Sequence, residues 1–254
     1  MYELISFKEQ FKAIINLIGS KSGVGLLITI KDENFLICYD SISFIKCKIP
    51  DLKNKYYGIP INVKDLIKPL QKFGKKDSLM IQFEENKIDI KMQSKISKRN
   101  YTIQNIAHLN FDRIIIEQVE EIKPANLFMI SSKNLFNEIE NLAFKGKDKY
   151  AQKIIFEIDE FQNFFISDDA RYKGHSKIEI ILNKKFTTLK KPSFVKINWI
   201  HLKNVLEQMS NISDEVFIST DSGMPLKLFV KNNDYEILSV IAPIVEDVDT
   251  YYKK

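Results

Sequence analysis

Few of the side chains that do chemistry in proteins stand close enough together in this sequence to act in concert. The three histidines, His108, His175 and His201, are scattered, and none has a second His or Cys at metal-ligand spacing. Asp168-Asp-Ala-Arg171 and Asp247-Val-Asp249 are paired acids of a kind that can hold a divalent cation, but neither has a nucleophile or base beside it. Gly19-Ser-Lys-Ser-Gly-Val-Gly25 is glycine-rich like a phosphate-cradling loop. It lacks the GxxxxGK[ST] order and joins a helix to a strand, so it reads as a turn. Cys38 and Cys47 lie in apolar segments, and Lys46 and Lys48 alternate away from Cys47 on a strand, which predicts two buried, reduced thiols in an intracellular protein. The expectation is a chain with no enzymatic activity, no catalytic residue, no metal and no cofactor.

The basic side chains are more informative. The formal charge is +5, and all of it belongs to the first half: residues 1–125 hold 20 Lys+Arg against 15 Asp+Glu, and the remainder hold 18 against 18. Lysines also recur at i, i+4, the spacing that puts side chains on one helix face. Lys8, Lys12 and Asn16 form one such row; Lys64, Lys68 and Lys72, continued by Lys75 and Lys76, form a second. Lys133, Asn137 and Asn141 form a third, with Lys145 beyond, and Lys203 and Glu207 a fourth, beside Asn204 and Gln208. Like charges at i, i+4 repel by a few tenths of a kcal/mol, so the second row is either a solvated surface or one that meets phosphates.

Those rows require helices, and the apolar spacing supplies four. Phe7–Ile18 groups Phe7, Phe11, Ile14, Ile15 and Ile18, and Val63–Phe73 groups Val63, Leu66, Ile67 and Leu70. Asn134–Phe144 groups Leu135, Ile139 and Leu142, and Trp199–Met209 groups Leu202, Val205, Leu206 and Met209. Pro69 inside the second predicts a kink. Most of the rest alternates with period two: LLITI, FLICY, SFIKCKI, LMIQFE, KIDIKMQ and NYTIQNI, then KIIFEI, NFFISD, KIEIIL, EVFIST, LKLFVK and YEILSVIA. Tight turns such as Lys31–Asn34, Glu85-Asn86 and Asp221–Gly223 separate them, which predicts antiparallel sheets and an α+β fold. No apolar run approaches the ~20 residues of a membrane-spanning helix, and the opening MYELISFKEQF has neither the basic region nor the cleavage site of a signal peptide.

The elements run in the order helix, strands, helix, strands, and then run so again. Asn62-Val-Lys-Asp-Leu-Ile-Lys lines up with Asn198-Trp-Ile-His-Leu-Lys-Asn, about half a chain later. The predicted organisation is two similar domains, 1–110 and 126–247, joined by a connector at 111–125, with a tail at 248–254. Asn110–Pro124 has neither clean helical nor clean strand spacing and carries Ile114, Ile115, Ile116, Val119 and Ile122, so it reads as an apolar inter-domain connector or as an edge strand and turn.

The stretch from Asp214 to Asp247 resembles the end of a sliding clamp of the proliferating cell nuclear antigen type, through Met224-Pro225-Leu226 and Ile241-Ala242-Pro243-Ile244-Val245-Glu246 at the family's spacing. Length, duplication and a central connector agree with that family. The resemblance implies the DNA clamp fold, two helices on antiparallel sheets in each domain, and a pseudo-six-fold ring of three subunits, or two in related clamps, around double-stranded DNA. The family's inner basic positions fall on or near Lys12, Lys68, Lys72 and Lys203, while its basic positions on the third helix meet Asn137 and Glu140. The family is usually acidic and this chain is not, which leaves open a place in a heterotrimer as well as a homotrimer.

The resemblance further implies partners: a clamp loader, DNA polymerase, ligase and nucleases, held through short peptide motifs. The docking residues would be Tyr39, Phe44, Ile116, Val119, Pro225, Val240, Ile241, Ala242 and Pro243, any of which could instead be ordinary core. DNA would meet Lys8, Lys12, Lys64, Lys68, Lys72, Lys75, Lys76, Lys133 and Lys203. Neighbouring subunits would pair Asn100–Ile106 with Ser176–Leu182. Localisation would be cytoplasmic in an archaeon and nuclear in a eukaryote. A non-ring DNA-binding factor of the same fold is the alternative, and a nucleotide-processing enzyme using Asp168 or Asp247 a third.

Overall fold

Alternating segments become sheet when turns fold them back on one another, and the first hairpin shows how. Lys31 and Asp32 both take positive φ, 49° and 64°, the geometry of a two-residue turn whose twist matches that of the flanking strands. The computed structural model describes residues 1–6, 8–20, 23–74, 76–105, 113–142, 153–168, 177–231 and 235–244. Its first elements are β1 (Glu3–Ile5), α1 (Lys8–Gly19), β2 (Val24–Ile30), β3 (Glu33–Tyr39), β4 (Ser43–Lys48), β5 (Tyr57–Asn62), α2 (Val63–Gln71), β6 (Ser78–Phe83), β7 (Lys87–Gln93) and β8 (Lys98–Gln104). There follow α3 (Arg113–Glu121), β9 (Asn126–Ser131), α4 (Ser132–Asn141), β10 (Lys153–Ile158), β11 (Phe164–Asp168), β12 (Lys177–Ile180), β13 (Ser193–Asn198), α5 (Trp199–Ser210), β14 (Glu215–Thr220), β15 (Leu226–Lys231) and β16 (Glu236–Ile241).

The chain forms two compact units. One comprises residues 1–119 and 230–239, the other residues 120–229 and the described residues from Val240. In the first unit one sheet runs β1-β6-β7-β8 and another β5-β2-β3-β4, with β16 along the β4 edge. α1 and α2 pack on each other and on β2. The alternating side chains that point inward, among them Ile37, Ile45, Ile61, Leu66, Leu79, Ile81 and Ile90, are fully buried, each worth roughly 1.5–3 kcal/mol of transfer free energy. The second unit has sheets β12-β11-β10-β13 and β15-β14-β9, with α4 on β9 and β14, α5 on β13, and the two helices on each other. Its core centres on Phe164, whose ring lies 4.5 Å from that of Phe128 and 5.7 Å from that of Phe156.

The duplication is complete at the level of topology. The series β1-α1-β2-β3-β4-β5-α2-β6-β7-β8 is repeated as β9-α4-β10-β11-β12-β13-α5-β14-β15-β16. This is the α+β arrangement of helix pairs on antiparallel sheets that the sequence led us to expect.

Four strands had no counterpart in the sequence reading, and each has a reason. β1 is only three residues long, too short for periodicity to register. β5 contains Gly58 and Pro60, which ordinarily argue against a strand, and the structure tolerates the proline because β5 is an edge strand with a register shift against β2 between Leu27 and Ile28. β9 and β13 directly precede α4 and α5 with no intervening loop, so their alternation merges into helical spacing. The connector differs too: where no regular spacing was read, Arg113–Glu121 is a helix, with Ile116 buried, Val119 half-buried and Glu117, Gln118, Glu120 and Glu121 exposed. A single turn's worth of apolar contact is enough when the opposite face is wholly polar.

Helix ends moved by one to three residues. α4 begins two residues early because Ser131 caps it, accepting from the Asn134 amide at 3.3 Å. α2 runs through Pro69, which is buried, and closes when the Lys72 amide turns back to the Pro69 carbonyl. Lys145, His108, His175, Asp247, Asp249 and the 248–254 tail lie outside the described residues.

Candidate nucleic-acid interface

In the first unit the two lysine rows lie on helices that pack side by side, which brings the rows to one element pair. Lys8 is half-buried, donates to the Asp77 carbonyl, and sits 5.1 Å from the Phe73 ring centroid, so its ammonium is held in place within its own unit. Lys12 is half-buried; Lys64, Lys68, Lys72 and Lys76 are exposed. Among the described residues none of these five has a carboxylate partner, so their charge is uncompensated. Lys75 lies outside the described residues. Arg99, which the spacing rules did not single out because it sits on β8, joins this group by donating to the Lys72 carbonyl at 3.2 Å. A cation at the carbonyl end of a helix is favoured by the helix dipole as well as by the hydrogen bond.

Gly23 shows how closely one lysine is placed. Its φ is +73°, and a Cβ there would lie 2.6 Å from Cε of Lys64, so the side chain of Lys64 arches over a backbone that only glycine leaves clear.

The second unit is electrostatically different. Lys203 of α5 forms a 2.6 Å ion pair with Glu140 of α4 and lies 5.9 Å from the ring centroids of both Phe136 and Trp199. Its charge is therefore spent locally, and Asn137 and Glu140 stand exposed on α4. Lys133 is exposed at the start of α4 with no ion-pair partner among the described residues. The uneven charge between the halves of the sequence thus becomes a helix pair whose lysines lack carboxylate partners among the described residues in one unit, and a pair whose Lys203 is engaged by Glu140 in the other.

The expected docking residues divide by burial. Phe44 on β4, Ile116 on α3, and Val240 and Ile241 on β16 are core side chains. Tyr39 at the end of β3, Val119, Pro225 before β15, Ala242 and Pro243 keep surface. Cys38 and Cys47 are buried and form no disulfide, and burial pushes the Cys47 thiol well up, with Cys38 adding to the effect. Such a thiol is no nucleophile at neutral pH. Asp168 ends β11 half-buried and His201 is half-buried on α5, while Asp169 and Arg171 lie outside the described residues. No group of three His, Cys, Asp or Glu able to hold a metal ion occurs among the described residues, nor any helix long and apolar enough to cross a membrane.

No protein-family profile matches the chain. Among curated proteins it is 25% identical over 203 residues to DNA polymerase sliding clamp 1 of Pyrobaculum aerophilum, covering 78% of this chain and 76% of that one. Among solved structures it superposes on a chain of the PCNA2–PCNA3 complex of Sulfolobus tokodaii with a TM-score of 0.78 at 19% identity, over 97% of this chain and 100% of that one. It superposes on proliferating cellular nuclear antigen of Entamoeba histolytica with a TM-score of 0.75 at 11% identity, over 96% and 98%. At those identities the two structures speak for the fold, and the curated relative carries the sequence likeness. Fold over nearly the whole chain, sequence likeness over most of it and the complete internal duplication agree: this chain has the fold of the proliferating cell nuclear antigen-type clamps and resembles a DNA polymerase sliding clamp in sequence.

Proposed function

We propose that the chain is one subunit of a DNA sliding clamp, a non-catalytic ring that encircles duplex DNA and tethers replication and repair proteins to it. The observation that carries this reading is a closure the single chain leaves unfinished. β4 has β16 along its edge, whereas β12, the counterpart of β4, ends its sheet, and so does β8, the counterpart of β16. Open edges are liabilities that proteins cover. Pairing β8 of one copy with β12 of the next repeats an arrangement the chain already makes once, and a head-to-tail contact of this kind closes into a ring when its rotation allows.

Within such a ring the lysines of α1 and α2 would neutralise phosphates without reading sequence, leaving the clamp free to slide. Topology, rather than affinity, would supply residence time. Client proteins, including a loader, polymerase, ligase and nucleases, would dock short peptides through the surface-retaining residues Tyr39, Val119, Pro225, Ala242 and Pro243. The Sulfolobus tokodaii complex contains two different clamp chains, so a mixed ring is the natural variant.

The test is retention. Bound to a closed circular duplex, the assembled chain should survive a challenge with salt and competitor and should leave when one restriction cut linearises the circle. Equal retention on linear and circular duplex would mean that charge alone holds the DNA, and the non-ring reading would replace this one.

A further inference from the structure

Where the chain leaves α3 and enters β9, it borders a basic shelf on the outer face of the second unit. Ser219 of β14 stands directly opposite Leu127 of β9 on one side and Lys227 of β15 on the other, and Leu127 in turn pairs with Thr188. Directly opposite residues share a face of a sheet, so Thr188, Leu127, Ser219 and Lys227 form one row. Their neighbours Phe128, Ile218 and Leu228 are fully buried in the core on the other face. Glu120 and residues 122–125 supply a second wall, and Lys190 completes an open pocket of about 390 Å3. Every lining residue belongs to the second unit.

The chemistry of this pocket is one-sided. Lys123, Lys190 and Lys227 line it against the single carboxylate of Glu120. Lys227 is half-buried, and its ammonium donates to the Ile122 carbonyl. Burial lowers that ammonium from its ordinary value of 10.5; Glu120 opposes the shift and Lys123 adds to it. An incoming anion offsets the cost of holding a charge there, because an opposite charge nearby favours the ionised form. Lys123 and Lys190 are exposed, with no carboxylate partner among the described residues, and the acid that follows β14, Asp221, is already engaged by Lys191 at 2.9 Å. Leu127, 44% exposed, joins half-buried Ile122 and Pro124 in an apolar patch within the same pocket. A ligand that satisfies both halves carries carboxylates for the lysines and an aliphatic side chain to cover Leu127. Duplex DNA offers the charge without the aliphatic group.

We propose that this pocket docks an acidic peptide segment of a partner protein, one with Asp or Glu beside an aliphatic residue. The site shares no residue with the docking set Tyr39, Val119, Pro225, Ala242 and Pro243, nor with the lysines of α1 and α2. It requires no ring. Opposite charge steers the segment in, and the apolar contact at Leu127 anchors it. A partner already held elsewhere on the chain gains a second, linked contact here, which multiplies affinity without strengthening the first.

The experiment is fluorescence anisotropy on the intact chain, with labelled six-residue peptides of three Glu and three Leu in every order, and the same set with Gln in place of Glu. The tightest Glu peptide should bind about tenfold or more tightly than its Gln counterpart. Lys123→Glu with Lys190→Glu should weaken it about tenfold or more with an unchanged melting curve, since both side chains are exposed. Lys227→Met, which keeps the aliphatic stem, and Leu127→Ser should each weaken it, while Lys68→Ala should leave it unchanged. Glu and Gln peptides that bind alike, a set in which none binds, or a double variant that binds as tightly as wild type overturns the proposal. Phosphoserine peptides that bind more tightly than every Glu peptide replace the carboxylate segment with a phosphorylated one. A duplex oligonucleotide that displaces the peptide, and that the double variant binds more weakly, assigns the shelf to DNA instead. None of these outcomes bears on retention by circular DNA, so the docking and the ring stand or fall separately.

Discussion

The phenol of Tyr56 donates a 2.5 Å hydrogen bond to the carboxylate of Glu3, and both residues are buried. Glu3 also accepts from the backbone amides of Lys53 and Asn54 and, at 2.6 Å, from the Asn54 side chain. One carboxylate thus ties the three-residue strand β1 to the segment entering β5, and a strand this short needs such an anchor to stay paired with β6.

Glu3→Ala leaves the buried Tyr56 phenol and the part-buried donors of Lys53 and Asn54 without their acceptor and should cost about 3 kcal/mol, while Tyr56→Phe removes a single bond and should cost about 1–2 kcal/mol. Urea midpoints of the two variants would decide it. Equal costs would mean that Glu3 is not the hub.

Burial, and then the Glu3 carboxylate, hold the Tyr56 phenol above its ordinary value of 10.0. A raised folded-state pKa contributes stability that is complete below the unfolded value and is lost as pH climbs from there toward the folded one. Denaturation midpoints of wild type should therefore fall in alkali above about pH 10, and Tyr56→Phe should lessen that fall. An identical alkaline profile in the variant would show that other groups govern it.

Lys64, Lys68 and Lys72 have no ion-pair partner among the described residues, whereas Lys203 is engaged by Glu140 at 2.6 Å. Single alanine substitutions in the first set should weaken DNA binding evenly across sequences and lower the salt slope by about one each. Lys203→Ala should do less, and Glu140→Ala should strengthen binding by freeing that lysine. Fluorescence anisotropy at several salt concentrations measures all five, and an effect of Lys203→Ala as large as that of Lys68→Ala would contradict the charge asymmetry.

Phe128 is fully buried, with its ring 4.5 Å from that of Phe164, so Phe128→Ala should cost about 3–5 kcal/mol in the second unit. Trp199, the chain's single tryptophan, is 4% exposed in that unit and reports the loss as an earlier fluorescence transition in urea. An unmoved tryptophan transition would place Phe128 outside the core that Trp199 senses.

Gly23→Ala should cost about 1–2 kcal/mol for the left-handed backbone alone and should displace Lys64, whose Cε would lie 2.6 Å from the new methyl carbon. The readout is stability together with DNA affinity. A loss of stability with affinity unchanged would show that the placement of Lys64 does not matter to binding.

The sequence by itself determined the helices and most of the strands, because periodicities of 3.6 and 2 state which face of an element is buried before anything packs on it. It determined half of the duplication, through the matching starts of α2 at Val63 and α5 at Trp199, and the lysine rows that α1 and α2 present. It did not reveal β5, since Pro60 is acceptable only on an edge and edges exist only once a sheet is assembled. Nor could it show that Lys203 is neutralised or that Arg99 joins Lys72, because Glu140 is 63 residues and Lys72 is 27 residues away along the chain. Local side-chain direction is set by neighbours in sequence, but charge compensation, edge exposure and the lining of a pocket depend on residues brought together only by folding. That is why Tyr235 before β16 and Ile96 before β8 look alike as apolar turn residues in the sequence and stand so differently in the fold, one buried and the other exposed.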